Sequence, residues 1–228
     1  HFFLLSLIMR MSKKRDRNCP DPALIIRSFI CFKETTIMSN NVSEHKAALF
    51  LANGCETIEA LTVADVLFRA GIPCTKVSVN STPVVVPSHN VTVAADTAID
   101  HLNWDEYDML VLPGGVPGTP NLRACAPLMK QVVRFHREGK LIAAICAAPS
   151  IFADLGLLSG IRAACNPTVE QILLDNGAEL VKENSVTSGN IITSRAMGTA
   201  IPFALAIVEY CQGREAADKL GKNILYYQ

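Results

Sequence analysis

The most constraining stretch of the chain is Leu141-Ile142-Ala143-Ala144-Ile145-Cys146-Ala147-Ala148-Pro149-Ser150. Five apolar residues follow a Gly139-Lys140 break, the length and continuity expected of a strand buried on both faces. The run reaches a cysteine, the side chains turn small, and Pro149 stands where the first turn of a helix has no use for an N–H. The pattern predicts a buried strand that turns sharply into a helix, with the Cys146 thiol at the corner. Helix N-termini carry unsatisfied N–H groups and partial positive charge, which favour a thiolate. Hydrolases expose nucleophiles on strand-to-helix turns of this kind. Cys146 is therefore the candidate nucleophile, although on these ten residues alone a core cysteine, the usual fate of a free thiol, is the stronger reading.

The rest of the chain places that corner in a layered domain. Lys46–Ala52 is a short apolar run ending at Asn53-Gly54, which reads as a buried first strand and a turn. Val63, Val66, Leu67 and Ala70 then line one helical face over Glu56–Ala70, stopped by Gly71. Thr75–Val79 alternates as a second strand, and the Val-rich segments of Ser81–Ala98 suggest a peripheral hairpin. Asp108–Leu112 is a third buried strand, halted by Pro113-Gly114-Gly115, and a loop through Pro117, Gly118 and Pro120 leads to a helix over Pro127–Glu138. Beyond the Cys146 strand, Ile161–Cys165 is a short strand candidate, and Thr168-x-x-Gln171 fits a capping box for a helix ending at Asn176-Gly177. Val186–Ser194 reads as a strand or turn-strand, and helical patterns follow over Ala200–Tyr210 and Glu215–Gly221. Strands alternating with helices through short Gly- and Pro-marked loops predict an α/β fold with a mostly parallel central sheet.

Composition narrows the partners. The chain of 228 residues has no formal net charge and is half hydrophobic with 18% charged residues, so neither nucleic acid nor an anionic membrane is expected as partner. The eight cysteines are scattered, without C-x-x-C or zinc-type Cys/His spacing, which argues for no metal site and for free thiols in a reducing, cytoplasmic compartment. Cys55, Cys74, Cys125 and Cys211 are expected to be packing residues, whereas Cys165 adjoins the candidate pocket at Asn166. Residues 1–45 do not resemble the rest. Their apolar run Phe2–Met9 is too short to span a bilayer and precedes its basic cluster, the reverse of a signal peptide. They are expected to be a disordered or non-native N-terminal extension to a single domain over 46–228.

In a parallel sheet, ligand sites lie at the carboxyl ends of the strands. Asn53–Glu59, Pro113–Gly118 and Cys146–Ser150 all leave strands at that edge. Glu59, in the first turns of its helix, can act as general acid/base if burial raises its pKa; the alternative is that Glu56 and Glu59 merely suit a positive helix end. Gly114-Gly115 allows a backbone N–H to approach a ligand, and with the Ala147 N–H it would make an oxyanion hole; a simple Pro-Gly-Gly turn is the competing explanation. His89 and His101 fall in peripheral stretches and His136 on a helix face rich in charge, so no histidine stands ready as base.

Four motifs in order carry a resemblance: Ala52-Asn-Gly-Cys-Glu-Thr-Ile-Glu59, Asp108-Met-Leu-Val-Leu-Pro-Gly-Gly115, Ala143-Ala-Ile-Cys-Ala-Ala-Pro149 and Thr193-Ser-Arg-Ala-Met-Gly-Thr199. From Lys46 to Gln228 the chain resembles the ThiJ/PfpI superfamily, in the branch of the Parkinsonism-associated deglycase and its bacterial YajL-like relatives. The resemblance implies a flavodoxin-like three-layer sandwich and a homodimer. It assigns Cys146 to the reactive nucleophile, Glu59 to its protonated carboxyl partner, and Gly115 and Ala147 to the backbone donors. Gly114, Asn166 and Arg195 fall in the implied substrate-binding set. Asn166-Pro167 stands where some relatives have His-Pro, and Ala196-Met197 replaces the common Gly-Pro. The peptidase branch has a histidine directly after the cysteine, so Ala147 argues against proteolysis.

The implied activity is a glyoxalase or deglycase acting on small α-oxoaldehydes such as methylglyoxal, or on glycated protein, with no cofactor. The alternative is a redox-sensing stress protein or chaperone whose cysteine oxidises to sulfinic acid. Arg195 would orient an anionic group or pair with a carboxylate.

Overall fold

The computed structural model describes residues 43–227, so most of the segment 1–45 lies outside the described residues. In chain order the strands are β1 (Ala47–Leu51), β2 (Cys74–Ser78), β3 (Val84–Val85), β4 (Val93–Ala94), β5 (Thr97–Ala98), β6 (Met109–Leu112), β7 (Leu141–Ile145), β8 (Arg162–Ala163), β9 (Glu179–Leu180), β10 (Ser185–Ser188) and β11 (Ile191–Ser194). The α-helices are α1 (Thr57–Arg69), α2 (Gly118–Ala124), α3 (Ala126–Arg137), α4 (Pro149–Asp154), α5 (Glu170–Asp175), α6 (Ala200–Gln212) and α7 (Arg214–Asn223).

Seven strands form the main sheet in the order β10-β11-β7-β6-β1-β2-β5. Every neighbouring pair is parallel except β10 with β11. Chain order reverses direction at β1: β2 is laid on one side, and β6, β7 and β11 on the other. This is the flavodoxin-like arrangement, and its crevice opens at the carboxyl ends of β1 and β6.

Residue alternation along the strands sorts the core into two layers. Leu49, Leu51, Met109, Val111, Ala143 and Ile145 pack with α1, α6 and α7, whereas Ala48, Phe50, Leu110, Leu112, Ile142 and Ala144 pack with α2, α3, α4 and α5. Helices on both faces explain why β1, β6 and β7 are apolar at every position. α1 buries Ala60, Val63, Val66 and Leu67. It closes with the paired bonds of a Schellman motif, Ile72 N–H to Leu67 O at 2.9 Å and Gly71 N–H to Phe68 O at 3.1 Å, with Gly71 at φ 71°.

Several expectations need correction. The segment after Gly115 is not all loop: α2 begins at Gly118, because a proline is tolerated within the first turn of a helix. The hairpin of β3 and β4 forms, but β5 leaves it to pair with β2 at the edge of the main sheet. Thr168 does not cap α5. Asn166 accepts from Thr168 N–H at 3.1 Å and from its hydroxyl at 2.8 Å, starting a 3-10 turn that precedes the helix. His136 is half-buried rather than solvated, and its Nδ1 has no hydrogen-bond partner.

Candidate active site

Three loops meet at the carboxyl edge. The first, Ala52–Glu56, is held against the second by the Glu56 N–H to Gly114 O bond at 3.0 Å and the Gly118 N–H to Gly54 O bond at 3.0 Å. The fit leaves no room for side chains. A Cβ on Gly115, at φ 92°, would lie 2.5 Å from Glu56 N, and one on Gly118 would lie 2.4 Å from Cys55 Cα. These glycines are what let two backbone segments touch.

The third loop is the corner after β7. Cys146 adopts φ 66°, a left-handed conformation that costs a non-glycine residue on the order of 1 kcal/mol or more. Bonds on both sides hold it there: Cys146 N–H donates to Ser194 O at 3.0 Å, and Cys146 O accepts from Asn166 N–H at 2.8 Å. In this turn the residue is only half-buried, packed against the edge of the core. From behind, Ser150 donates to Ala147 O at 2.7 Å and accepts from Arg123 at 2.8 Å.

Glu56 and Glu59 divide the work at the start of α1. Glu56 is the N-cap, accepting from Glu59 N–H at 2.7 Å. Glu59, 1% exposed, turns its carboxyl into the site, where Oε2 accepts from Gly114 N–H at 2.9 Å. A Cβ on Gly114 would sit 2.6 Å from Cys146 Cβ and 2.9 Å from Glu59 Oε2. The missing side chain of Gly114 is therefore the gap in which carboxyl and cysteine meet. Glu59 Oε1 is buried without a hydrogen-bond partner, an arrangement that a bare carboxylate makes expensive.

Burial raises Glu59 to about 7, with the Glu56 charge pushing the same way and the Cys146 side chain and the Gly114 amide opposing. Burial also pushes the Cys146 thiol up to about 12; the Glu59 charge adds to this, and the Gly115 and Ala147 amides oppose it. This corrects the expectation of a thiol held ionised by a helix end. α4 is six residues long and starts three positions on, so its field is weaker than the desolvation and the adjacent carboxyl. With the thiol pushed up and the carboxyl near neutrality, Glu59 is the group placed to accept the Cys146 proton.

The structure thus brings together Cys146, Glu59, Gly114 and the N–H groups of Gly115 and Ala147, neither of which donates to a backbone carbonyl among the described residues. Asn166 adjoins through its backbone, with its side-chain oxygen occupied by Thr168. Arg195 follows Ser194, half-buried, with its guanidinium 4.0 Å from Glu170. Cys165 is buried beside Asn166, and Cys55 is buried within the first loop.

One contributor escaped sequence reasoning. The segment after β3 is strapped over the first loop by Gly54 N–H to Val86 O at 2.8 Å, Ser88 N–H to Cys55 O at 2.9 Å, and Val86 N–H to Asn53 Oδ1 at 2.9 Å. This strap brings His89 Nδ1 to 3.9 Å from Glu56 Oε1. The hairpin itself was legible, but no pattern in its residues says which loop it lies against.

The family described as DJ-1/PfpI matches residues 45–210. Protein dj-1beta of Drosophila melanogaster is 38% identical over 180 residues, covering 78% of this chain and 96% of the relative. The glutathione-independent glyoxalase DJR-1.2 of Caenorhabditis elegans is 32% identical over 186 residues, covering 80% and 98%. Among solved structures, oxidized Toxoplasma gondii DJ-1 superposes with a TM-score of 0.76 at 34% identity, covering 81% of this chain and 100% of that one.

Proposed function

The chain belongs to the DJ-1/PfpI family, and on that premise we propose that it is a cysteine-dependent glyoxalase or deglycase acting on α-oxoaldehydes of the methylglyoxal type and on early glycation adducts. The observation that carries this reading is the meeting of Cys146 and Glu59 across Gly114, beside two backbone N–H groups that face the sulfur and donate to no backbone carbonyl among the described residues. A relative bearing the name glutathione-independent glyoxalase supports the reaction class.

The chemistry follows from the pair. Glu59 takes the thiol proton as the sulfur adds to the aldehyde carbon, forming a C–S bond and a hemithioacetal oxyanion. The Gly115 and Ala147 amides hold that oxyanion. Glu59 passes the proton it holds to the oxygen of the neighbouring carbonyl, takes the proton of the former aldehyde carbon to give an enediolate, and delivers it to the adjacent carbon, leaving the thioester of a 2-hydroxy acid. Water cleaves the thioester, releasing the hydroxy acid and restoring the thiol. A buried carboxyl with a pKa near 7 is suited to give and take a proton at neutral pH.

The test is lactate formation from methylglyoxal in thiol-free buffer. Cys146→Ser and Glu59→Gln are each expected to lower the rate by about a hundredfold or more, the scale of losing a nucleophile or a general base. Full activity in either variant rejects the mechanism.

A second reading is favoured by the partial exposure of Cys146 beside Glu59 and by a solved relative described as oxidized. Peroxide would supply two oxygens to the sulfur, giving a sulfinic acid and water, and the protein would serve as a redox-responsive stress protein or chaperone. A two-oxygen adduct mapped to Cys146 in a protein without turnover would select it. In either role a homodimer is proposed, supported by the exposed Ile58 and Phe68 on α1. The six described cysteines are free thiols, which suits a reducing cytoplasm. No helix among the described residues is long and apolar enough to cross a membrane.

A further inference from the structure

The strap between β3 and β4 ends in a side chain with no part in the chemistry above. His89 is held where it is by backbone rather than by its own contacts. Gly54 N–H to Val86 O, Ser88 N–H to Cys55 O and Val86 N–H to Asn53 Oδ1 fasten the strap to the loop that begins α1, and Asn80 reinforces the same Asn53 oxygen at 3.0 Å. The ring itself is 71% exposed, contacts Ser88 Oγ at 3.1 Å, and faces Glu56 Oε1 at 3.9 Å. Glu56 is 15% exposed, and its other oxygen accepts the Glu59 N–H at 2.7 Å. One carboxylate therefore stands between the imidazole and the acid of the site.

We propose that His89 is a positioning residue, acting through Glu56 on the proton shared by Glu59 and Cys146. The imidazole faces the Glu56 carboxylate at 3.9 Å and orients its cap; removed, it leaves the Glu56 charge to act on Glu59 in full. The other titratable groups near Glu59 are Cys146 from the β7 corner, Cys55 from its own loop and Glu56; the β6 loop contributes backbone only. The Glu56 charge pushes Glu59 upward, so the sign is fixed: loss of His89 moves the ionisation of Glu59 to higher pH, and a permanent cation moves it lower.

The inference rests on Cys146 and Glu59 being the reacting pair, but its test needs no substrate. The rate of Cys146 alkylation by iodoacetamide, followed by mass spectrometry of its peptide, is measured against pH in the full chain. His89→Ala is expected to shift the Glu59-dependent limb upward by about half a pH unit, the scale of an exposed ion pair. His89→Lys is expected to shift it downward. In a Glu56→Gln background neither substitution should move it, which separates coupling through Glu56 from a general loosening of the strap. Superimposable profiles for wild type, His89→Ala and His89→Lys overturn the inference, as does an equal shift in the Glu56→Gln background. Failure of the underlying pair is distinguishable, because the limb would then persist in Glu59→Gln.

Discussion

The two ends of the central strands are built on opposite electrostatic plans. At the amino end the charged side chains are partly exposed and paired with one another. Asp108 accepts Lys46 N–H at 2.8 Å and pairs with His45, and Lys46 Nζ meets Glu106 at 2.8 Å while lying 4.5 Å from the centre of the Tyr107 ring. At the carboxyl end of the same strands, Glu59 is buried with one oxygen unpartnered, and Cys146 holds a positive φ. Two amide N–H groups beside the sulfur lack backbone acceptors. The amino end spends its polar groups on one another, so each is worth little and costs little. The carboxyl end leaves polar groups unsatisfied in a dry setting, where each is costly in the resting protein and available to a reacting molecule. Strain and desolvation concentrated at one edge mark that edge as the place where chemistry is expected.

The largest effect should come from filling the gap between acid and thiol. Gly114→Ala would place a Cβ 2.6 Å from Cys146 Cβ and 2.9 Å from both Glu59 Oε2 and Ile145 O. Since two of these atoms belong to a fixed corner, the expected result is a loss of lactate formation of about a hundredfold, together with about 1–3 kcal/mol of destabilisation from overpacking. Activity near wild type would mean that Glu59 and Cys146 need not approach through this gap.

A smaller effect, of revealing sign, should come from Glu59→Gln. The folded protein keeps a proton on Glu59 up to about pH 7, whereas the unfolded chain loses it near 4.5. The native state therefore binds more protons through that window, so the Glu59 contribution to stability is greatest below it and declines as pH rises through it. Glutamine retains an oxygen for the Gly114 N–H and never ionises. Glu59→Gln should match wild type near pH 4 in urea unfolding and exceed it at pH 8 by up to about 3 kcal/mol, the equivalent of the raised pKa. A variant less stable than wild type at pH 8 would show that the carboxyl is not desolvated in the folded state.

The smallest effect belongs to the other end of the strands. Glu106→Gln removes an exposed partner of Lys46 and should leave both lactate formation and the urea midpoint within error of wild type. A measurable loss of activity there would break the contrast between the two edges.

Much of this architecture was open to reading because local patterns and tertiary roles agree. β1, β6 and β7 are apolar at every position since helices cover both faces, and α1 follows the spacing of Val63, Val66 and Leu67 to a stop at Gly71. Reading failed where the deciding partner is remote in the chain. Whether β5 stays in its hairpin or joins β2 depends on a free sheet edge, and the use of Asn166 in place of Thr168 as cap depends on the bond that fixes Asn166 to Cys146.

By itself the sequence determined the parallel layered sheet, the edge on which three loops converge, and the identity of the groups on them, because apolar periodicity and Gly/Pro punctuation are local properties. Only the tertiary structure decided how those groups are charged and who attends them. Desolvation raises both pKa values, while the closeness of Glu59 and Cys146 raises that of the thiol and lowers that of the carboxyl, and a strap closed by bonds from Val86 and Ser88 to the first loop brings His89 to the Glu56 cap. Solvent exclusion and through-space charge depend on all the surrounding chain at once, and no single window of sequence contains them.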